Sequence, residues 1–225
     1  VGLSSDAGVF GEISLTQRNF DVADWPLTWR ELVRGRAFRG AGQTMQISVS
    51  PGDEVSTYAF TLAEPHLFNT DISASFTGSY RNRFYNQYKE DRLSAALTFG
   101  RRLGDVWTVS MTPRYENVTL TNFSEQTPIE VFDDRGPSNI MNLRTSLTRS
   151  TINNFYRPSR GSRLSMSLSP SWVTTTGNFY VNADLGLTTY ITLDEDFLGR
   201  KTTLKLNGKF GYIFGGSAPV EEKYY

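Results

Sequence analysis

The sequence predicts an all-β fold, an antiparallel transmembrane β-barrel with about ten strands in these 225 residues. Three observations carry that expectation. Apolar and polar residues alternate with period two through most of the chain, as in Leu93, Ala95, Leu97 and Phe99 against Ser94, Ala96, Thr98 and Gly100. Successive strand side chains point to opposite faces, so each such segment has one greasy and one polar side. Mean hydropathy is −0.38, and 38% of residues are hydrophobic while 13% are aromatic. A soluble all-β domain needs a larger aliphatic core; a barrel with lipid outside and water inside does not. Several alternating segments reach ten residues or more. That suits a tilted membrane strand of about 9–11 residues better than the ~5–6 of a globular one.

In chain order the predicted strands are 8–18, 43–50, 56–63, 72–83, 91–101, 107–120, 139–152, 162–174, 179–193 and 201–214. The second rests on Met45, Ile47 and Val49 against Gln46, Ser48 and Ser50. The eighth rests on Leu164, Met166, Leu168, Pro170 and Trp172 against four serines and Arg163. Connectors 51–54, 68–71 and 102–105 are short, while 19–42, 84–90 and 122–138 are longer. Outer-membrane barrels show the same asymmetry of short turns and long loops. Tyr80, Phe84, Tyr85, Tyr88, Trp107, Tyr115, Phe123, Phe155, Tyr156, Trp172, Phe179 and Tyr180 fall near strand ends. They read as two aromatic girdles at headgroup level. Connector 19–42 is the least strand-like part. Its 25–35 stretch predicts a short helix with Pro26 at the start and Gly35 after the end. Arg30, Arg34, Arg36 and Arg39 make it basic, so it touches anionic headgroups, rests across a barrel mouth or is a solvated loop.

Much chemistry is excluded. No run approaches the ~20 apolar residues of a membrane-spanning helix. Lys and Arg number 23 against 23 Asp and Glu, for net charge zero, which gives no basis for binding nucleic acid. Cysteine is absent and His66 is the single histidine, so no transition-metal cluster is expected, and neither is a cofactor. His66 follows Glu64-Pro65 at a strand end, where a structural role is expected; the reading is of a protein that is not an enzyme. Asp194-Glu195-Asp196 lacks an EF-hand register. Glycines such as Gly208, Gly211, Gly215 and Gly216 sit in or after a strand with no helix following, unlike a phosphate loop. Arg114, Glu116, Arg144, Arg163 and Asp184 fall on polar faces by parity; they line a channel or pair across the lumen. The first residues lack the charged start and apolar stretch of an export signal, so the chain reads as a mature or internal portion of something longer.

The order of segments resembles the BamA-type outer-membrane assembly barrels. Gly11-Glu12-Ile13-Ser14-Leu15-Thr16-Gln17-Arg18-Asn19-Phe20, followed by Phe38-Arg39-Gly40-Ala41-Gly42-Gln43, resembles that family's first hairpin. Tyr58 to Phe68, with Glu64-Pro65-His66-Leu67-Phe68, resembles its third strand. Phe155-Tyr156-Arg157-Pro158-Ser159-Arg160-Gly161-Ser162-Arg163 resembles its mid-barrel P-x-x-G turn, in which Pro158 and Gly161 have a structural part. Pro219-Val220-Glu221-Glu222-Lys223-Tyr224-Tyr225 resembles the segment ahead of its long sixth loop. The family barrel has sixteen strands. Its R-G-F loop and its POTRA domains do not occur in this chain, and connector 19–42 is longer than usual. The resemblance therefore implies that residues 1–225 are the N-terminal portion of a barrel domain.

It further implies a function: assembly and insertion of β-barrel proteins into the bacterial outer membrane. Its partners would be the outer-membrane lipid bilayer, unfolded outer-membrane protein substrates and accessory envelope proteins of an assembly complex. Lipid offers backbone groups no hydrogen-bond partner. A first strand that pairs poorly with the last would leave a border where a substrate strand adds on. The lateral gate implied is Val9, Phe10, Gly11, Glu12, Ile13, Ser14, Leu15 and Thr16, acting through backbone groups. A short apolar band near the seam would thin the bilayer locally. A translocation or secretion pore of the same superfamily, a passive porin-like barrel, a surface hydrolase built around His66 and a soluble β-sandwich are the alternatives.

Overall fold

Alternation becomes sheet almost everywhere it occurs. A computed structural model describes residues 2–4, 8–34, 37–125, 127, 129, 131 and 136–216. Ten strands form one antiparallel meander in which each pairs with the next in sequence. They are β3 (Ile13–Phe20), β4 (Arg39–Ser50), β5 (Val55–Glu64), β6 (Ile72–Phe84), β7 (Lys89–Leu103), β8 (Trp107–Thr121), β9 (Gly136–Ser150), β10 (Gly161–Val173), β11 (Asn178–Glu195) and β12 (Lys201–Phe214). Among the described residues the sheet is open, with one flank of β3 and one of β12 unpaired. Two three-residue strands, β1 (Gly2–Ser4) and β2 (Gly8–Phe10), make a separate hairpin ahead of it.

The first predicted strand, 8–18, is broken at Gly11 and Glu12. The break has a local cause. Pro51 stands opposite Gly11 and has no N–H to complete the ladder; only Gly11 N–H to the Pro51 carbonyl, at 2.9 Å, is made. The line of the strand survives, because Phe10 bridges Gly52 in the same register by which Ile13 pairs Val49. β2 thus prolongs β3 past the end of β4 and reaches the β4–β5 turn.

Prolines also interrupt the middle of the sheet. Pro113 pairs Leu143 on β9, but the β7–β8 ladder skips from Ala96–Arg114 to Phe99–Met111. Pro170 does the same between β9 and β10, where pairing jumps from Leu168–Thr145 to Ser171–Asn142. In both places the missing imino hydrogen faces the strand whose pairing is lost. The two prolines therefore flank Leu143 at one level of the sheet.

The outward face is apolar and in register from end to end. Leu15, Ile47, Phe60, Gly78, Ala95 and Tyr115 are successive cross-strand neighbours, and the row continues through Met141, Trp172 and Phe179. Most of these large side chains are exposed, Trp172 at 54% and Phe179 at 53%. Among the described residues, apart from Phe20 and Ala37 beside the connector after β3, the buried apolar side chains lie on the inner face at one end. Val118, Leu120 and Val131 pack with Tyr88 and Phe123; Ile140, Val173 and Tyr180 pack with Ile213. This corrects the girdle expectation. Tyr80, Phe84, Trp107, Tyr115, Trp172 and Phe179 do face outward. Tyr88 and Phe123 instead join the inner cluster, and Tyr180 is fully buried. The resembling segment 219–225 lies outside the described residues.

Candidate functional site

The border strand is built from Ile13–Phe20. Ile13 pairs Val49, Ser14 pairs Ser48, Leu15 pairs Ile47 and Thr16 pairs Gln46. The opposite flank of these four has no partner among the described residues. Val9 and Phe10 are held on both sides. β1 covers one flank, with Leu3 opposite Val9 and Gly2 opposite Phe10. On the other, Asp53 Oδ1 accepts the Val9 N–H at 2.8 Å, and the Asp53 N–H donates to the Val9 carbonyl at 3.2 Å. Gly11 and Glu12 lie between as a link. The eight residues expected to act together are thus divided between a tied hairpin and a bare edge.

The apolar band narrows toward that edge. On β10 it runs from Leu164 to Trp172, eight residue steps or about 27 Å along the strand. On β5 it runs from Tyr58 to Leu62, about 13 Å. On β3 it shrinks to Ile13 and Leu15, about 7 Å, 73% and 58% exposed, with only Val9 of β2 on the same face beyond Gly11.

The inner wall is polar, and its groups bond to one another. Ser79 and Ser94 hydroxyls are 2.7 Å apart, Thr98 and Thr112 3.0 Å. Asn142 Nδ2 donates to Ser171 Oγ at 2.6 Å. Of the charges expected on this face, Arg144 pairs with Asp184 at 3.4 Å and also donates to Ser167 at 2.9 Å. Arg114 pairs with Glu116 at 3.1 Å. Arg81, Glu90 and Arg92 extend that network across β6, β7 and β8. Arg163, with Arg102 and Lys205, lines an inner-face cavity of about 780 Å³ at the other end of the strands. These charges therefore pair with strand neighbours as well as lining space.

Loop 151–160 lies at that end, with Ile152, Phe155 and Pro158 in the cavity lining, and leads into Gly161. Gly161 begins β10 at φ 108°. A Cβ there would lie 2.9 Å from Ile152 Cα and closer still to the Thr151 carbonyl, so no side chain fits. Asn153 organises the loop, a part that sequence reasoning missed. Its Oδ1 accepts the Ser159 and Arg160 N–H groups, both at 3.1 Å. The Ser159 carbonyl in turn accepts Thr192 Oγ1–H at 2.9 Å, joining the loop to β11. Asparagine in a loop is the only sequence signal for it.

His66 lies at an exposed turn, and its N–H donates to Glu64 Oε1 at 3.0 Å. The acidic run 194–196 is engaged locally. Asp196 Oδ2 accepts Arg200 Nε at 2.6 Å, which holds its carboxyl below the usual range, and Glu195 pairs with Lys201 at 3.2 Å. Among the described residues no three His, Asp or Glu side chains are grouped to hold a metal.

The described residues of connector 21–38 are arranged around Phe38, whose N–H donates to the Asp24 carbonyl and whose carbonyl accepts the Asp21 N–H. The predicted helix is present as α1 (Trp29–Val33), one turn long, with Pro26 three residues ahead of it rather than at its first position. Thr28 and Leu27 N–H groups bond Glu31 Oε2 at 3.3 and 2.9 Å, the reach-back of a capping box. Gly35 and Arg36 lie outside the described residues.

Comparison with known proteins places this geometry. Residues 37–225 match the Omp85 superfamily domain; Val9–Thr16 precede that span. The crystal structure of BamA from Haemophilus ducreyi lacking POTRA domains 1–3 superposes with a TM-score of 0.74 at 16% identity, over 99% of this chain and 42% of that one. The chain thus spans about two-fifths of that structure's length. No curated protein sequence matches it.

Proposed function

The chain belongs to the Omp85 superfamily, and from that premise we propose that it forms part of an outer-membrane barrel wall that inserts other β-barrels into the bacterial outer membrane. The observation that carries this reading is the bare flank of Ile13–Thr16, at the place where the outward apolar band is narrowest. An incoming strand would pair with that flank through its backbone, which lipid cannot satisfy. The thin band would lower the barrier to entry by bringing water closer to the border. Val9 to Glu12 would act as the link that keeps the hairpin aligned with it. The partners on this reading are the bilayer, unfolded barrel proteins and accessory envelope proteins.

Site-specific cross-linking tests it. The chain has no cysteine, so Ser14→Cys, Thr16→Cys and Ser165→Cys introduce single thiols into it. During synthesis of outer-membrane proteins, nascent barrel strands should link to the first two and not to the third. Links confined to the inner-wall position would sink the border reading. They would favour a translocation or secretion pore of the same superfamily, whose cargo passes along the polar lumen.

A further inference from the structure

We propose that connector 21–38 is a membrane-interface anchor, seated among the phosphate-bearing headgroups of the bilayer beside the border strand. The inference rests on the membrane placement proposed above and adds a surface to it. Trp25, Leu27, Trp29 and Val33 are 71%, 91%, 75% and 70% exposed. A connector facing water would gain nothing by presenting four large apolar groups together.

Its position says what covers them. Gln17 pairs with Met45, and Gln43 stands two residues from Met45, so both belong to the outward face. Gln17 Nε2 donates to the Phe38 carbonyl at 3.0 Å, and Gln43 Oε1 accepts the Val22 N–H at 3.0 Å. The connector is therefore fastened to the lipid side of β3 and β4, continuous with the apolar band, and not across the lumen. It is also firm. Phe38 stacks on Phe20 with ring centres 5.4 Å apart, and Trp25 meets Phe38 edge-on at 5.3 Å.

Charge agrees with a phosphate-rich layer. Asp21 and Asp24 accept the backbone N–H groups of Ala23 and Arg39, and Glu31 accepts those of Leu27 and Thr28. Arg30, Arg34 and Arg39 stay exposed, with no ion-pair partner among the described residues. Indole rings beside arginines are the composition of the headgroup level, and guanidinium matches phosphate in fork geometry.

The test is fluorescence quenching of the whole protein in phosphatidylcholine vesicles whose acyl chains carry bromine near the carbonyl end or near the methyl end. Subtracting the spectrum of Trp25→Phe/Trp29→Phe isolates the connector indoles; subtracting that of Trp107→Phe/Trp172→Phe isolates two indoles of the outward face. The connector emission should be blue-shifted, quenched by shallow bromine more than by deep bromine, and protected from aqueous iodide. Arg30→Glu/Arg34→Glu should abolish that protection. Iodide quenching with no bromine quenching would overturn the anchor, provided Trp107 and Trp172 are quenched by bromine. Equal quenching by deep bromine would overturn the headgroup placement. If neither pair responds to bromine, the membrane reading itself fails and the anchor with it.

Discussion

Glu90 and Glu116, on adjacent strands of the inner wall, are held by one guanidinium: Arg92 donates from Nε to Glu90 at 3.0 Å and from Nη1 to Glu116 at 3.2 Å. Both carboxylates are nearly inaccessible, at 3% and 4% exposure. Arg81 donates to the same Glu90 oxygen at 2.8 Å, and Arg114 holds the other oxygen of Glu116 at 3.1 Å.

Removing the shared cation leaves two buried anions short of a partner. Arg92→Met should destabilise the protein by about 3 kcal/mol, the low end for a broken buried pair because Arg81 and Arg114 remain. Adding Glu90→Gln and Glu116→Gln to Arg92→Met should restore most of it. Urea unfolding in detergent is the measurement; an unchanged midpoint for Arg92→Met would refute the bridge.

Gly161 and Gly177 separate two reasons for glycine. Both have positive φ, 108° and 74°, but only Gly161 faces backbone at contact distance. Gly177→Ala meets only the conformational penalty, about 1 kcal/mol. Gly161→Ala must also displace Thr151 and Ile152, and should lose about 3 kcal/mol or more. Thermal unfolding of the two variants should rank them in that order.

Pro113 and Pro170 weaken the ladder on either side of Leu143, beneath an outward hollow of about 460 Å³ that both line. Pro113→Val supplies the absent N–H toward β7 and should add about 1 kcal/mol. Pro170→Val should do the same toward β9. Hydrogen exchange should show new protection at residue 113 or 170; its absence would mean the gaps are set by strand curvature rather than by the imino acid.

Tyr88 gives a pH dependence with a definite sign. Burial, then the charges of Tyr85 and Glu90, push its phenol from 10.0 up to about 12. The unfolded chain therefore loses this proton first. The contribution to stability is complete below about pH 10 and is lost as pH rises toward about 12. Tyr88→Phe should flatten that segment of the stability curve, read from unfolding midpoints across the alkaline range.

Strand positions were legible because a lipid-facing wall demands strict alternation; β12 occupies the 201–214 span that its pattern predicts. What period-two reading missed came from the backbone and from distance. Pro51 breaks the first strand through a neighbour 40 positions away in the sequence. Tyr180 carries the same aromatic signal as Phe179, but one step of parity sends it inward. Tyr88 and Phe123 face the inner cluster because loop side chains obey no strand parity. The bare flank of Ile13–Thr16 is a missing neighbour, and no residue type encodes that. Gly161 was legible as a turn glycine, although its reason, the Thr151 carbonyl, lies ten positions upstream.

The β1–β2 hairpin would limit where a guest strand could add. Gly2 lies opposite Phe10, and β2 runs in line with β3, so β1 stands on the same side of that line as the bare flank. A newcomer zipping along Ile13–Thr16 toward Gly11 would therefore run up against rungs that β1 already occupies at Phe10 and Val9. The docking length on offer would be short, set by β3 alone.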